Sequence, residues 1–92
     1  MKYVIVINEE SHGFIGVAKD MKSAFQYLLS KNWITKTEVF IIDEVAYYLE
    51  ELREKYEQTT LLDTLLLLWD IDEDLFDGLF YFSKEEIFEI NT

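Results

Sequence analysis

Residues 60–77, TLLDTLLLLWDIDEDLFD, set the most apolar run of the chain directly beside one of its most acidic. Leu61, Leu62, Leu65, Leu66 and Trp69 recur at helical spacing and define one broad face. Leu67 and Leu68 fall on the other side, and only Asp63, Thr64 and Asp70 are polar between Leu61 and Asp70. Thr60 can cap the helix start with its hydroxyl, and Asp63 suits the positive end of the helix dipole. A helix apolar nearly all round is buried on most sides or covered by a partner. It is too short to span a bilayer, which needs about 20 apolar residues. Two readings follow: a central core helix, and a helix half-covered by a second subunit.

The acidic half places Asp70, Asp72 and Asp74 at alternate positions, with Asp77-Gly78 behind them. Oxygens spaced like this begin a calcium loop, but Leu75 stands where that loop needs glycine and Tyr81 where it needs a bidentate glutamate. The pattern therefore reads as a solvated acidic turn, with Gly78 ending a helical turn or opening a strand.

Ninety-two residues make one domain, residues 1–92. Half of them are hydrophobic and 16% aromatic, which argues for a packed core rather than disorder. No cysteine is present, so disulfides and thiolate metal sites are excluded. The N-terminus MKYVIVINEE has too short an apolar run for a signal peptide, and the expectation is a cytoplasmic protein.

Net charge is −11. Such a chain is a poor direct ligand for nucleic acid, whose phosphates require a basic surface, and is repelled by anionic membranes. It is attracted to basic proteins, including those whose natural ligand is DNA or RNA. The plainer explanation of the charge is solubility.

In chain order, residues 3–7 (YVIVI) form a β-branched run typical of a strand covered on both faces. Residues 8–13 are a polar turn and residues 14–18 the returning strand of a hairpin. Gly16 inside that strand marks a bulge or a close backbone approach. Asp20 caps a helix carrying Met21, Ala24, Phe25, Leu28 and Leu29 on one face, fraying near Lys31-Asn32, with Trp33-Ile34 anchoring its end. Residues 38–42 are a third strand. Asp43-Glu44 then open a helix to about Gln58, with Val45, Tyr48, Leu49, Leu52 and Tyr56 as its buried stripe. Residues 79–82 are a fourth strand. Ser83 with Glu86 forms a capping-box pattern, so residues 84–90 are open between a short helix and a last strand with Ile87 and Phe88 over the core.

The predicted fold is therefore α+β of order β-β-α-β-α-α-β, a small, mainly antiparallel sheet with helices packed on one face.

Little here carries catalysis. The one histidine, His12, sits in the hairpin turn, and its neighbour Ser11 cannot serve it as a triad nucleophile. One histidine and no cysteine make a zinc site unusual. Glycines 13, 16 and 78 build no phosphate loop. With 19 carboxylates, acid pairs arise by chance and no dyad stands out. The expectation is no enzyme, no metal and no cofactor.

What remains is the acidic arrays. Glu50, Glu51, Glu54 and Glu57 fall on or beside one helix face, where residues three and four apart are neighbours at about 6 Å. That spacing approaches that of adjacent phosphates along a nucleic-acid strand. Asp70, Asp72, Glu73, Asp74 and Asp77 extend the negative surface. The two arrays are candidate partner-binding residues, and the alternative is a solvated helix face beside an acidic turn.

The stretch VIVINEESHGFIGVAKDMKSAFQYLLSKNWI, with its strand, glycine turn, strand and Ala/Leu helix, covers about a third of the chain. With the small size, Lys-over-Arg bias and missing Cys and Pro, it resembles accessory proteins of phages and prophages in low-GC Gram-positive bacteria. Some proteins of that kind inhibit host nucleases, CRISPR effectors among them, by mimicking DNA. The resemblance implies a mobile-element setting and transfers no functional residue to this chain.

Two functional expectations result. One is an acidic interaction protein that occupies a basic, nucleic-acid-binding protein by phosphate mimicry. The other is a self-associating structural or assembly domain with its leucine-rich helix at a symmetric homodimer interface.

Overall fold

Strand β1 (Lys2–Glu9) runs through the middle of a three-stranded antiparallel sheet, between β2 (Gly13–Ala18) and β5 (Phe80–Ile87). These come from a computed structural model of the chain, which describes residues 2–87. Between β2 and β5 lie α1 (Met21–Ser30), a second antiparallel hairpin of β3 (Val39–Ile42) and β4 (Val45–Tyr48), α2 (Leu49–Lys55), α3 (Leu61–Ile71) and a 3₁₀ turn at Glu73–Phe76. The class is α+β with antiparallel pairing throughout, as the sequence predicts. The strands divide into two small sheets, and the second hairpin contributes a strand where the sequence predicts helix.

The first hairpin closes around Glu9. Its carboxylate accepts from the Ser11 and His12 amides at 2.9 and 2.8 Å and contacts the His12 ring nitrogen Nδ1 at 2.6 Å. The register slips between Ile7 and Asn8, so Ile15 is a bulge residue. Gly16 also makes the close approach expected of it: a Cβ there would stand 3.2 Å from the Tyr27 ring. Tyr27 in turn donates its hydroxyl to the Ile15 carbonyl at 2.9 Å.

Helix α1 is capped by Asp20, whose Oδ1 accepts from the Ser23 amide at 2.7 Å. It buries Ala24, Phe25 and Leu28 and ends where Asn32 takes a φ of 60°. The Trp33 amide then donates to the Leu28 carbonyl at 2.9 Å, and Ile34 is buried.

The largest departure from the sequence reading lies at residues 43–48. The predicted helix start is instead a two-residue hairpin turn. Asp43 and Glu44 have φ of 50° and 68°, and Ile42 pairs with Val45 and Val39 with Tyr48. Two consecutive positive φ values define the turn whose twist matches antiparallel strands. Val-Ala-Tyr-Tyr has high strand propensity, and the hairpin lets Phe40 enter the core. Helix α2 therefore begins only at Leu49. Of the predicted stripe, Leu49 and Leu52 are fully buried and Tyr56 half-buried, whereas Val45 and Tyr48 are exposed strand residues.

Helix α3 starts as predicted, with Thr60 Oγ1 accepting from the Asp63 amide at 3.1 Å. Its fully buried residues are Thr64, Leu65 and Leu68. Leu68, assigned by spacing to the far side, is inside, because α3 packs against both α1 and α2 and is covered on two sides. Buried Thr64 is satisfied by donating its hydroxyl to the Thr60 carbonyl at 2.8 Å.

The aromatic centre of the core comes from the acidic stretch itself. Phe76 is 1% exposed, with its ring 5.3 Å from Phe25, 5.2 Å from Phe40, 5.6 Å from Trp69 and 6.2 Å from Phe82. It ties both sheets to α1 and α3, each ring pair adding about 0.5–1.5 kcal/mol beyond burial.

Strand β5 extends well past residue 82 and pairs with β1 from Phe80–Glu9 to Ile87–Lys2. Of the two readings of residues 84–90, the strand holds through Ile87, and residues 88–90 lie outside the described residues. A capping box stabilises a helix by only about a kcal/mol, less than an eight-residue ladder along an available edge. Ile87 is exposed rather than over the core, and among the described residues the helices cover one face of this sheet.

Candidate acidic interface

Four of the nine predicted site residues converge, and they do so around the second hairpin. Direct cross-strand partners share a face, so Val39, Tyr48, Ile41 and Ala46 project together. The opposite face holds buried Phe40 and half-buried Tyr47 against the core. All four outward residues are exposed, Ile41 at 64%.

On the β3 side, Asp72, Asp74 and Asp77 join Val39, Ile41, Leu75 and Leu79 to line an open groove of about 410 Å³. On the β4 side, Glu51 joins Val39, Ala46, Tyr47 and Tyr48 around a depression of about 230 Å³. An apolar strip thus runs between two acidic rims.

The 3₁₀ turn holds the aspartates in place. Asp72 Oδ1 accepts from the Asp74 amide at 3.0 Å, and the Asp77 amide donates to the Asp74 carbonyl at 3.1 Å. Phe76, between them, is anchored in the core. Asp70, Asp72, Glu73, Asp74 and Asp77 are all exposed, and none of the ion pairs among the described residues involves them.

The helix array is less free. Glu50 Oε1 takes Arg53 Nε at 2.9 Å and Nη2 at 2.5 Å, and Glu54 lies 3.8 Å from Nη2. The Arg53 hydrogen bonds and charge hold the Glu50 carboxyl below the usual carboxylate range, and Glu50 raises Arg53 in return. Glu51 accepts from the Tyr48 amide at 3.0 Å, closing the start of α2. Glu57 lies beyond the end of α2 in the left-handed region, with φ of 54°. The phosphate-like row of four along one helix is therefore broken. Arg53 compensates two members, and a third lies off the helix.

Spacing alone missed three further acids near this end of the fold. The Glu10 amide donates to the carbonyl of groove-lining Leu79 at 3.1 Å, and Glu38 directly precedes groove-lining Val39. Burial, and secondarily the charge of Glu9, push the Glu38 carboxyl up. Hydrogen bonding from His12 pulls Glu9 down. The signal for β3 was available as the continuous apolar, largely β-branched run in EVFII, but the partner strand was hidden in a predicted helix.

Among the described residues, no group of three or more His, Cys, Asp or Glu side chains is arranged to hold a metal ion. No described helix is long and apolar enough to cross a membrane. No protein-family model, curated protein or solved structure matches the chain.

Proposed function

We propose that this chain is a non-enzymatic acidic interaction protein of phage or mobile-element origin that binds a basic protein surface, of the kind that otherwise receives nucleic-acid phosphates. The observation that carries the reading is the exposed, uncompensated set Asp72, Asp74 and Asp77, fixed by the 3₁₀ turn and lying beside the apolar hairpin face. Glu51 closes the other rim, while Asp70, Glu73 and Glu57 add long-range attraction and Glu50 and Glu54 are compensated by Arg53. Unpaired surface acids gain little from any single contact, so steering and register come from the summed field.

Self-association through the leucine-rich helix is the weaker reading, because Leu65 and Leu68 are enclosed in the chain's own core. The test is capture of basic proteins from a host lysate on the immobilised chain, followed by elution with salt, heparin or duplex DNA. Binding that weakens steeply with salt and is displaced by either polyanion is expected. Retention indifferent to salt and to both polyanions refutes the proposal.

A further inference from the structure

The three-stranded sheet has a second face that no helix among the described residues covers. Strand alternation sends Ile5, Ile7, Phe80 and Phe82 inward, where they belong to the core or pack on it. The same alternation sends Val4, Val6, Phe14, Val17, Tyr81 and Ile87 outward, and none of these is in the core cluster or packed against it. Phe14, Val17 and Tyr81 are 63%, 54% and 68% exposed. This fits the β-branched run of β1: Val4 and Val6, both half-buried, are apolar on a face that no described element packs against.

We infer that this open face of the β2-β1-β5 sheet is a homodimer interface, covered by the same face of a second copy. Charge selects the occupant. The chain carries −11, so two copies repel wherever their acids meet. The outward positions of this sheet hold one acid, Glu85, and one base, Lys2, and the remainder are apolar or uncharged. It is a surface on which two such anionic molecules can touch without stacking carboxylates. A basic partner finds only one acid there, Glu85, and is drawn instead to the acid-rimmed hairpin.

Size sets the expected strength. Eight-residue strands span about 27 Å, and three strands at about 4.8 Å spacing give a width of about 14 Å. That flat footprint, about 380 Å², is smaller than the roughly 800 Å² per partner that specific interfaces bury, so the dimer is a weak one. Two sheets packed face to face at about 10 Å bring the valines and aromatics of both copies into one layer. The contact is isologous, each copy using the same patch.

The experiment is sedimentation velocity on the full chain across micromolar concentrations at low and high salt. A monomer–dimer equilibrium is expected, and it tightens as salt screens the repulsion between the copies. Val17→Lys should weaken it by at least about tenfold, and Phe14→Ser should do so without adding charge. Both residues are exposed, so circular dichroism should match the parent, and either variant suffices if the other misfolds. Ile41→Lys, on the hairpin face, should leave the equilibrium unchanged. A monomer at every concentration and salt overturns the inference, as does a dimer broken by Ile41→Lys and indifferent to the two sheet variants. Because capture of a basic partner weakens with salt while this dimer strengthens, failure here leaves the proposed function standing or falling on its own test.

Discussion

Glu44 offers a test in which two structures predict opposite signs. In the second hairpin its φ is 68°, and its side chain is exposed with no hydrogen-bond partner among the described residues. A non-glycine residue in the left-handed region costs about 1–2 kcal/mol. Glycine escapes that cost but surrenders about 0.5–1 kcal/mol of extra chain entropy relative to alanine. Glu44→Gly should therefore be more stable than Glu44→Ala by about 0.5–1 kcal/mol. If residues 43–58 formed one helix, alanine would instead win by about 0.8–1.0 kcal/mol. The two cases differ by roughly 1.5–2 kcal/mol, well outside the error of a paired comparison. Urea denaturation followed by tryptophan fluorescence reads the difference, since Trp69 packs against Phe76 and Phe82 in the core. For a domain this small, about 1 kcal/mol moves Tm by about 4–8 °C. An alanine variant more stable than the glycine variant refutes the hairpin turn.

Gly16→Ala should destabilise by about 1–3 kcal/mol, because the new Cβ stands 3.2 Å from Tyr27 Cε1 and displaces the ring that bonds the Ile15 carbonyl. An unchanged Tm would show that the ring yields freely. Thr60→Ala removes the acceptor of the Asp63 amide and should cost about 1 kcal/mol in urea titration, with Thr60→Ser largely restoring it. Glu9, Asp20 and Glu50 are pulled below their ordinary values of 4.5, 3.8 and 4.5 by His12, Ser23 and Arg53 respectively. Their stabilisation is complete above those ordinary values and is lost as pH falls through the lower folded-state values. Glu38 runs the other way, since burial and Glu9 raise it above 4.5. Glu38→Gln should thus be more stable than the parent at pH 7, with the gain fading as pH falls from the raised folded-state value towards 4.5 and absent below it. A gain independent of pH would assign the effect to packing instead.

What was legible in the sequence was what local chemistry decides. Asp20 and Thr60 cap the helices they precede, the first hairpin lies where its turn residues put it, and Gly16 makes the close approach its place in a strand announced. The errors share a cause, which is that tertiary pairing overrode a local signal. Asp43-Glu44 look like a helix N-terminus, yet Val45–Tyr48 gain more by pairing with β3 and burying Phe40. Ser83 and Glu86 look like a capping box, yet β1 offers a full edge to β5. Leu68, on the side of α3 away from its main face, is buried because α3 has neighbours on two sides, as a helix apolar nearly all round implies. At the candidate interface, the aspartates were legible by composition. The apolar strip they flank was not, because it exists only once β3 and β4 pair.

The position of Phe76 decides how far charge and fold can be separated at this interface. A solvated acidic turn would let its carboxylates move independently and follow a partner's shape. Here the residue between Asp74 and Asp77 is among the most enclosed rings in the molecule, in contact with Phe25, Phe40, Trp69 and Phe82. The turn cannot shift without disturbing the core, so the aspartates are presented at fixed separation from Ile41 and Val39. Ordering entropy that a mobile acidic loop would lose on binding has already been lost in folding. Of these acids only Asp72 helps fix the turn, its Oδ1 accepting from the Asp74 amide, a cap that an asparagine oxygen can also supply. Asparagine at positions 72, 74 and 77 therefore removes the field while leaving the scaffold that presents it.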